Sequence, residues 1–235
     1  CNCYYVPDRS PGIIRRNRKM DLKGKKVLVF GAGKSGIGAA DLLGSVGAQP
    51  IIYDGNENLD KEAVLHKTNG TYTPEIWAGA FPEGEMESLD LVVLSPGVPT
   101  DLPLVKSFYE KGLPVWSEVE LAYRTGKGEV LAITGTNGKT TTTALLGKIM
   151  GDARESVFVV GNIGTAYTSK SLEMREDSVT VAEISSFQLE TIEQFRPKVS
   201  AILNITEDHL NRHHTMEEYI RVKELITKNQ GPEDV

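Results

Sequence analysis

Ala132-Ile133-Thr134-Gly135-Thr136-Asn137-Gly138-Lys139-Thr140-Thr141 carries an apolar strand into a glycine-lysine-threonine turn that opens a helix. Backbone N–H groups of such a turn point inward, and the helix N-terminus adds partial positive charge. The lysine reaches the outer phosphates of a nucleotide and the threonine hydroxyl can face magnesium. Gly135, Thr136, Asn137, Gly138, Lys139, Thr140 and Thr141 are therefore the expected cradle for ATP or GTP. The turn departs from the common GxxxxGK[ST] spacing, because Ile133 stands where the first glycine would fall.

Outward from this turn, short β-rich runs at 157–160, 179–182 and 199–203 alternate with helical ones, which predicts a parallel sheet with helices on both faces. A last helix is expected from 216 to about 229, with Tyr219 and Lys223 four residues apart on one face. Upstream, Val27-Leu28-Val29-Phe30 leads into Gly31-Ala32-Gly33-Lys34-Ser35-Gly36, a helical run from Ile37 to about Val46, and Pro50-Ile51-Ile52-Tyr53-Asp54. Strand, glycine turn, helix and acid-terminated strand open a Rossmann-like unit, which taken alone suggests NAD. Leu91-Val92-Val93-Leu94 then runs into Ser95-Pro96-Gly97-Val98-Pro99, a turn at the strand end where ligands of open α/β sheets gather. The segment 71–88 has no clear period. The stretch Tyr123-Arg124-Thr125-Gly126-Lys127-Gly128 interrupts the apolar pattern and marks the boundary.

The fold class expected is α/β, with a Rossmann-like N-terminal domain over 20–126 and a P-loop ATPase-like parallel-sheet domain over 127–235. The final Gly231-Pro232-Glu233-Asp234-Val235 reads as a turn into a further strand, so the second domain is expected to be incomplete.

A chain of 235 residues with 40% hydrophobic and 25% charged residues is ordinary for a globular protein of two domains, and no run spans a bilayer. Residues 1–19 carry Arg9, Arg15, Arg16, Arg18 and Lys19 against Asp8 alone, a net +4, which leaves −10 on the rest of a chain whose formal total is −6. An acidic body argues against nucleic acid and for small-molecule partners. The basic tail lacks an apolar core for a secretory signal, and Met20 would suit a start before the first strand, so 1–19 is expected to be extraneous to the fold or disordered. Both cysteines, Cys1 and Cys3, lie there; a cysteine-free body fits a reducing cytoplasm.

Two further blocks each follow an apolar run: Glu183-Ile184-Ser185-Ser186-Phe187-Gln188-Leu189-Glu190 and Leu203-Asn204-Ile205-Thr206-Glu207-Asp208-His209-Leu210-Asn211-Arg212-His213. Glu183 ends a strand of the second domain and is expected at the same sheet edge as the phosphate turn, where a carboxylate suits magnesium. Together the three blocks resemble the Mur ligases of bacterial peptidoglycan synthesis over about residues 21–230, and the SSFQLE string resembles the branch that adds D-glutamate.

That resemblance implies an ATP-dependent ligase. The L-alanine carboxylate of UDP-N-acetylmuramoyl-L-alanine takes the γ-phosphoryl group to give an acyl phosphate, which the amine of D-glutamate then attacks. It implies Lys139, His209 and Lys223 as catalytic residues, Thr140, Glu183, His209 and Lys223 around magnesium, and a carbamate on Lys223. It diverts the first domain from NAD to the uridine diphosphate of the substrate, through Gly33, Lys34, Ser35, Asp54, Ser95, Pro96 and Gly97, with Asn162 of Gly161-Asn162-Ile163-Gly164 as a further substrate contact. His213 and His214 match no family position and are expected on the surface. The resemblance further implies a cytoplasmic monomer, and an amino-acid-binding domain beyond this segment, so that these residues alone are expected to bind rather than to turn over. A superfamily ligase adding another amino acid, or extending folate with glutamate, is the nearest rival, and SSFQLE argues against both. An NAD-dependent dehydrogenase is the rival from another class, disfavoured by the phosphate turn.

Overall fold

Runs such as Val27-Leu28-Val29-Phe30 and Leu91-Val92-Val93-Leu94 have no polar face, so the strands they form must be covered on both sides. The computed structural model, which describes residues 21–162 and 164–235, builds them into such a sheet. The tail at 1–19, its cysteines and Met20 lie outside the described residues, as does Ile163. The first half contains β1 (Lys26–Phe30), α1 (Lys34–Ser45), β2 (Gln49–Asp54), α2 (Lys61–Leu65), β3 (Glu75–Ala78), β4 (Leu91–Leu94), α3 (Pro103–Glu110) and β5 (Val115–Ser117). Its five strands are parallel, in the order β3-β2-β1-β4-β5. The chain winds one way from β1 through β3 and the other way from β4 to β5. Their ends therefore diverge between β1 and β4, the place where such sheets bind ligands.

Helix α1 begins at Lys34, three residues earlier than the apolar period suggests, and Gly36 lies in its first turn. A Cβ at Gly36 would sit 1.8 Å from the Gly31 carbonyl oxygen, so the close turn itself requires glycine there. Strand β3 occupies part of the segment 71–88 that has no period. It is a four-residue edge strand among glycines and prolines, too short to show alternation.

After α4 (Glu118–Thr125), the second half contains β6 (Glu129–Thr134), α5 (Lys139–Ala153), β7 (Val157–Gly161), β8 (Val179–Glu183), α6 (Ser186–Leu189), β9 (Val199–Ile202), α7 (Leu210–His213) and α8 (Met216–Glu224). Its four described strands are parallel in the order β7-β8-β6-β9. The expected last helix is shorter than read, since α8 ends at Glu224 and tightens into a 3₁₀ turn at Leu225–Thr227. No described helix is long and apolar enough to cross a membrane.

Helix α4 ties the halves together. Tyr123 to Thr125, expected at a break, form its last turn. Leu121 enters the first core, whereas Val119 and Ala122 enter the second. The fully buried Glu120 carboxylate accepts the backbone N–H groups of Glu193, Gln194 and Phe195, at 3.0, 2.8 and 2.8 Å, and an Arg124 N–H at 2.6 Å. The Arg124 guanidinium lies 4.0 Å from the Trp116 ring centre, and Trp116 Nε1 donates to Glu193.

Its neighbour Glu118 is different: Oε1 accepts from Gln188 Nε2 at 2.7 Å while the buried Oε2 has no hydrogen-bond partner among the described residues. Burial pushes this carboxyl up to about 7 from its ordinary 4.5. Between those values the folded chain keeps a proton that the unfolded chain releases, so stability falls as pH rises through the window. Glu118→Gln, a neutral isostere, should therefore gain on the order of 3 kcal/mol over the parent chain between about pH 5 and pH 8, measured by urea unfolding. The comparison is between variant and parent because His213, held down to about 4 by burial first and Arg212 second, gives the opposite slope below its ordinary 6.5. Equal pH profiles for the two proteins would mean that Glu118 ionises normally.

Candidate functional site

The glycine-lysine-threonine turn leaves the carboxyl end of β6, one of the two inner strands of the second sheet, and closes where α5 begins at Lys139. It is scaffolded from the segment after β9. Asn204 clamps the Asn137 backbone, accepting its N–H at 2.9 Å and donating to its carbonyl at 3.0 Å. Thr136 Oγ1 donates to the Thr206 carbonyl, accepts the Thr206 N–H, and lies 3.2 Å from the Tyr219 hydroxyl. The first N–H groups of α5 have no intrahelical acceptors and form, with the turn, the anion-accepting end of the helix. Lys139 Nζ donates to the carbonyls of Gly135 and Thr136 at 2.9 and 2.8 Å, which holds its charge over the turn. Thr141, the next residue after Thr140, is exposed.

Beside the turn, Glu183 ends β8, 2% exposed, in register with the end of β6. Thr140 Oγ1 donates to one of its oxygens at 2.8 Å and Asn162 Nδ2 to the other at 2.9 Å. Asn162 reaches it because Gly161, at φ 110°, lets β7 pass so close that a Cβ there would lie 2.1 Å from the Glu183 carbonyl oxygen. Thr140 and Glu183, read from the sequence as magnesium ligands, and Asn162, read as a substrate contact, thus form one hydrogen-bonded group. Oxygen donors at the mouth of an anion site suit a hard divalent cation that keeps waters and phosphate oxygens as its other ligands. Among the described residues no cluster of three or more His, Cys, Asp or Glu gathers as an all-protein metal cage.

Lys223 is 1% exposed and donates to the Gly135 carbonyl at 2.9 Å, the same oxygen that Lys139 engages. Burial, and then the Lys139 charge, push its ammonium down to about 8. It lies 4.6 Å from the ring centre of Tyr219, one helical turn earlier on α8. His209 caps α7 with a left-handed backbone, φ 51°, and its ring is 4.9 Å from Phe187 and 6.3 Å from Tyr219. His209 therefore reaches the Lys223 neighbourhood through Tyr219, with its side chain 47% exposed.

The expectation that His213 lies on the surface is wrong. Its ring is buried between Phe187 and Tyr219, with Nε2 2.9 Å from Ser186 Oγ. Its partners come from α6 and α8, distant in sequence, and the stack excludes water from the imidazole. His214, its neighbour, is exposed as expected.

In the first half, Gly33 caps α1 and is exposed, as is Lys34; Ser35 is half-buried. Asp54 accepts the Ala32 and Asn56 N–H groups at 3.0 Å each, which holds the glycine turn to the end of β2. Ser95 Oγ donates to the Gly31 carbonyl at 3.3 Å, beneath the same turn, while Pro96 and Gly97 form the outer rim after β4. The two halves meet here. Lys34 Nζ donates to the Gly164 carbonyl at 2.9 Å, two residues beyond Asn162, and Arg212 reaches the Val98 carbonyl at 2.8 Å. Sequence reasoning left Asn204, Thr206, Glu190 and Arg212 unassigned although it quoted the blocks that hold them. Their positions after strand ends were the available signal.

Two family models match the chain: the N-terminal domain of MurD-like Mur ligases over residues 25–117, and the Mur ligase middle domain over residues 133–235. A UDP-N-acetylmuramoylalanine–D-glutamate ligase from Lachnospira eligens is 60% identical over 215 residues, covering 92% of this chain and 48% of the relative. One from Lachnoclostridium phytofermentans is also 60% identical over 215 residues, covering 92% and 47%. The chain spans about half the length of the curated relatives it matches. Among solved structures, the UDP-N-acetylmuramate:L-alanyl-gamma-D-glutamyl-meso-diaminopimelate ligase from Neisseria meningitides superposes with a TM-score of 0.54 at 16% identity, over 89% of this chain and 69% of that one. That likeness is one of fold.

Proposed function

The chain belongs to the Mur ligase family, and from that premise we propose that it carries the uridine-substrate and ATP sites of a UDP-N-acetylmuramoyl-L-alanine:D-glutamate ligase. The observation that carries the reading is the hydrogen-bonded group of Thr140, Glu183 and Asn162 at the phosphate turn, facing the first-half turns across the Lys34 to Gly164 contact. The name shared by relatives at 60% identity supports the same reaction.

In this reading the first half, over 20–126, holds the uridine diphosphate at the divergence of β1 and β4, by Gly33, Lys34, Ser35, Asp54, Ser95, Pro96 and Gly97. Asn162 meets the substrate from the second half, over 127–235. Residues 135–141 hold ATP. The L-alanine carboxylate oxygen bonds to the γ-phosphorus as the bond to the bridging oxygen of ADP breaks. The amine of D-glutamate then bonds to the acyl carbon, phosphate departs, and a proton is lost from nitrogen. The first step brings two anions together, so its cost is electrostatic. Lys139 and the N–H groups opening α5 accept that charge. Thr140 and Glu183 would hold magnesium, which supplies further neutralisation of the phosphates. His209 would contribute to a second metal site near the substrate carboxylate. Lys223, with its amine near neutrality, adds carbon dioxide with loss of a proton to give a carbamate. The anion so formed would lie beside Lys139. The enzyme is an ATP-dependent amide-bond-forming ligase working as a monomer in the cytoplasm on small molecules.

Calorimetric titration of this chain with UDP-N-acetylmuramoyl-L-alanine, NAD and magnesium ATP tests the reading. The uridine ligand and ATP should bind and NAD should not. Binding of NAD without the uridine ligand would overturn it.

A further inference from the structure

Arg212 lies between the two halves of the chain and serves neither the nucleotide nor the uridine assignment above. Its Nε and Nη2 fork onto Glu190 at 3.1 and 2.6 Å, and Nη2 also donates to the Val98 carbonyl at 2.8 Å. The two side chains are 11% and 9% exposed. The guanidinium sits 5.1 Å from the Phe187 ring centre, and that ring also meets the rings of His209 and His213 of the α7 segment. Phe187 and Glu190 come from the SSFQLE block, Arg212 from the block after β9, and Val98 from the turn after β4. One planar side chain thus joins two of the motif blocks to the turn after β4. An arginine held by a bidentate acid and an aromatic face has little freedom left, so its remaining donor is aimed.

We propose that Arg212 is a positioning residue: clamped by Glu190 and Phe187, it fixes the turn at 95–99 against α7 and so sets the spacing between the uridine end of the substrate and the phosphoryl-transfer site. The proposal rests on the ligase reading above. Spacing matters because the reacting carboxylate sits at the far end of a long substrate whose other end is gripped by the first half. A displacement of about 1 Å at the grip can cost on the order of a hundredfold in rate.

Hydrogen exchange, followed by mass spectrometry on the ligand-free chain, tests the clamp without relying on any ligand. In Arg212→Gln the segment 95–102, whose Val98 N–H is bonded to the Ser95 carbonyl, should exchange at least about tenfold faster while 134–140 keeps its rate. Arg212→Lys, which keeps the charge but replaces the planar fork with donors on a single nitrogen, should fall between. Titration of the same proteins should show at least about tenfold weaker binding of UDP-N-acetylmuramoyl-L-alanine and unchanged binding of magnesium ATP. Unaltered exchange at 95–102 would overturn the proposal whether or not any ligand binds. So would a loosened turn with unchanged uridine-ligand affinity. Equal loosening of both segments, or failure of both variants to fold, would make Arg212 a general folding contact and also overturn it. A parent chain that binds no uridine ligand but whose turn loosens in the variants would sink the ligase reading and leave the clamp standing.

Discussion

Lys139→Ala, in a full-length ligase carrying this segment, should lower kcat/KM for ATP-dependent amide formation by on the order of a thousandfold, about 4 kcal/mol of transition-state stabilisation. The side chain opens α5 with its Nζ held over the Gly135 and Thr136 carbonyls, within reach of an outer phosphate seated on the α5 N-terminus. Charge shifts toward the β–γ bridging oxygen as the γ-phosphoryl group leaves, so a fixed ammonium there is worth more in the transition state than in the bound ground state. The loss should therefore fall on kcat as well as on KM. The fold should not suffer, because Asn204 clamps Asn137 and Thr136 is pinned by Thr206 independently of the lysine. Phosphate release at saturating ATP, beside a thermal melt of the same variant, separates the two effects. Near-normal turnover in a folded variant would refute the assignment of the turn.

The place of Lys139 at the opening of α5 was legible because its signal is local: strand, turn and helix follow one another within ten residues. The same holds for β1, its glycine turn and β2, where apolar runs of strand length flank the Gly31 to Gly36 turn. Strand β3 was not legible, since four residues at a sheet edge carry no period. The ring stack was not legible either. Phe187, His213 and Tyr219 lie in three separate segments, and only the pairing of α6 with α7 and α8 makes His213 a core residue. Helix α4 lies between β5 and β6, where the apolar pattern is interrupted at 123–128, and the sharing of its Leu121 and Val119 between two cores was not legible, because it depends on which sheet covers each face.

The burial of Lys223 raises the stakes of its substitution. A solvated lysine on α8 could be removed at little cost, but this one is enclosed, donates to Gly135 and leans on Tyr219. An ordinary lysine at 1% exposure beside a second cation is poorly solvated and repelled, which is why its ammonium is pushed down to about 8. Conversion to a carbamate reverses the second penalty: the new group is an anion, still buried, and Lys139 becomes its counter-ion. Lys223→Ala should then lower turnover of the full-length ligase by on the order of a thousandfold, through loss of a group that orients the nucleotide's cation and through the space left beside Gly135. That space is the size of the lost side chain and faces an ammonium, so a short carboxylate such as acetate or formate should enter it and restore activity by roughly ten- to a hundredfold, an effect of effective positioning rather than of ionic strength. Chloride at the same concentration is the control. Rescue by carboxylate alone identifies the working form of Lys223 as an anion, whereas equal failure of acetate and chloride would leave the residue as a cationic strut for the Gly135 carbonyl, with no carbamate in the reaction.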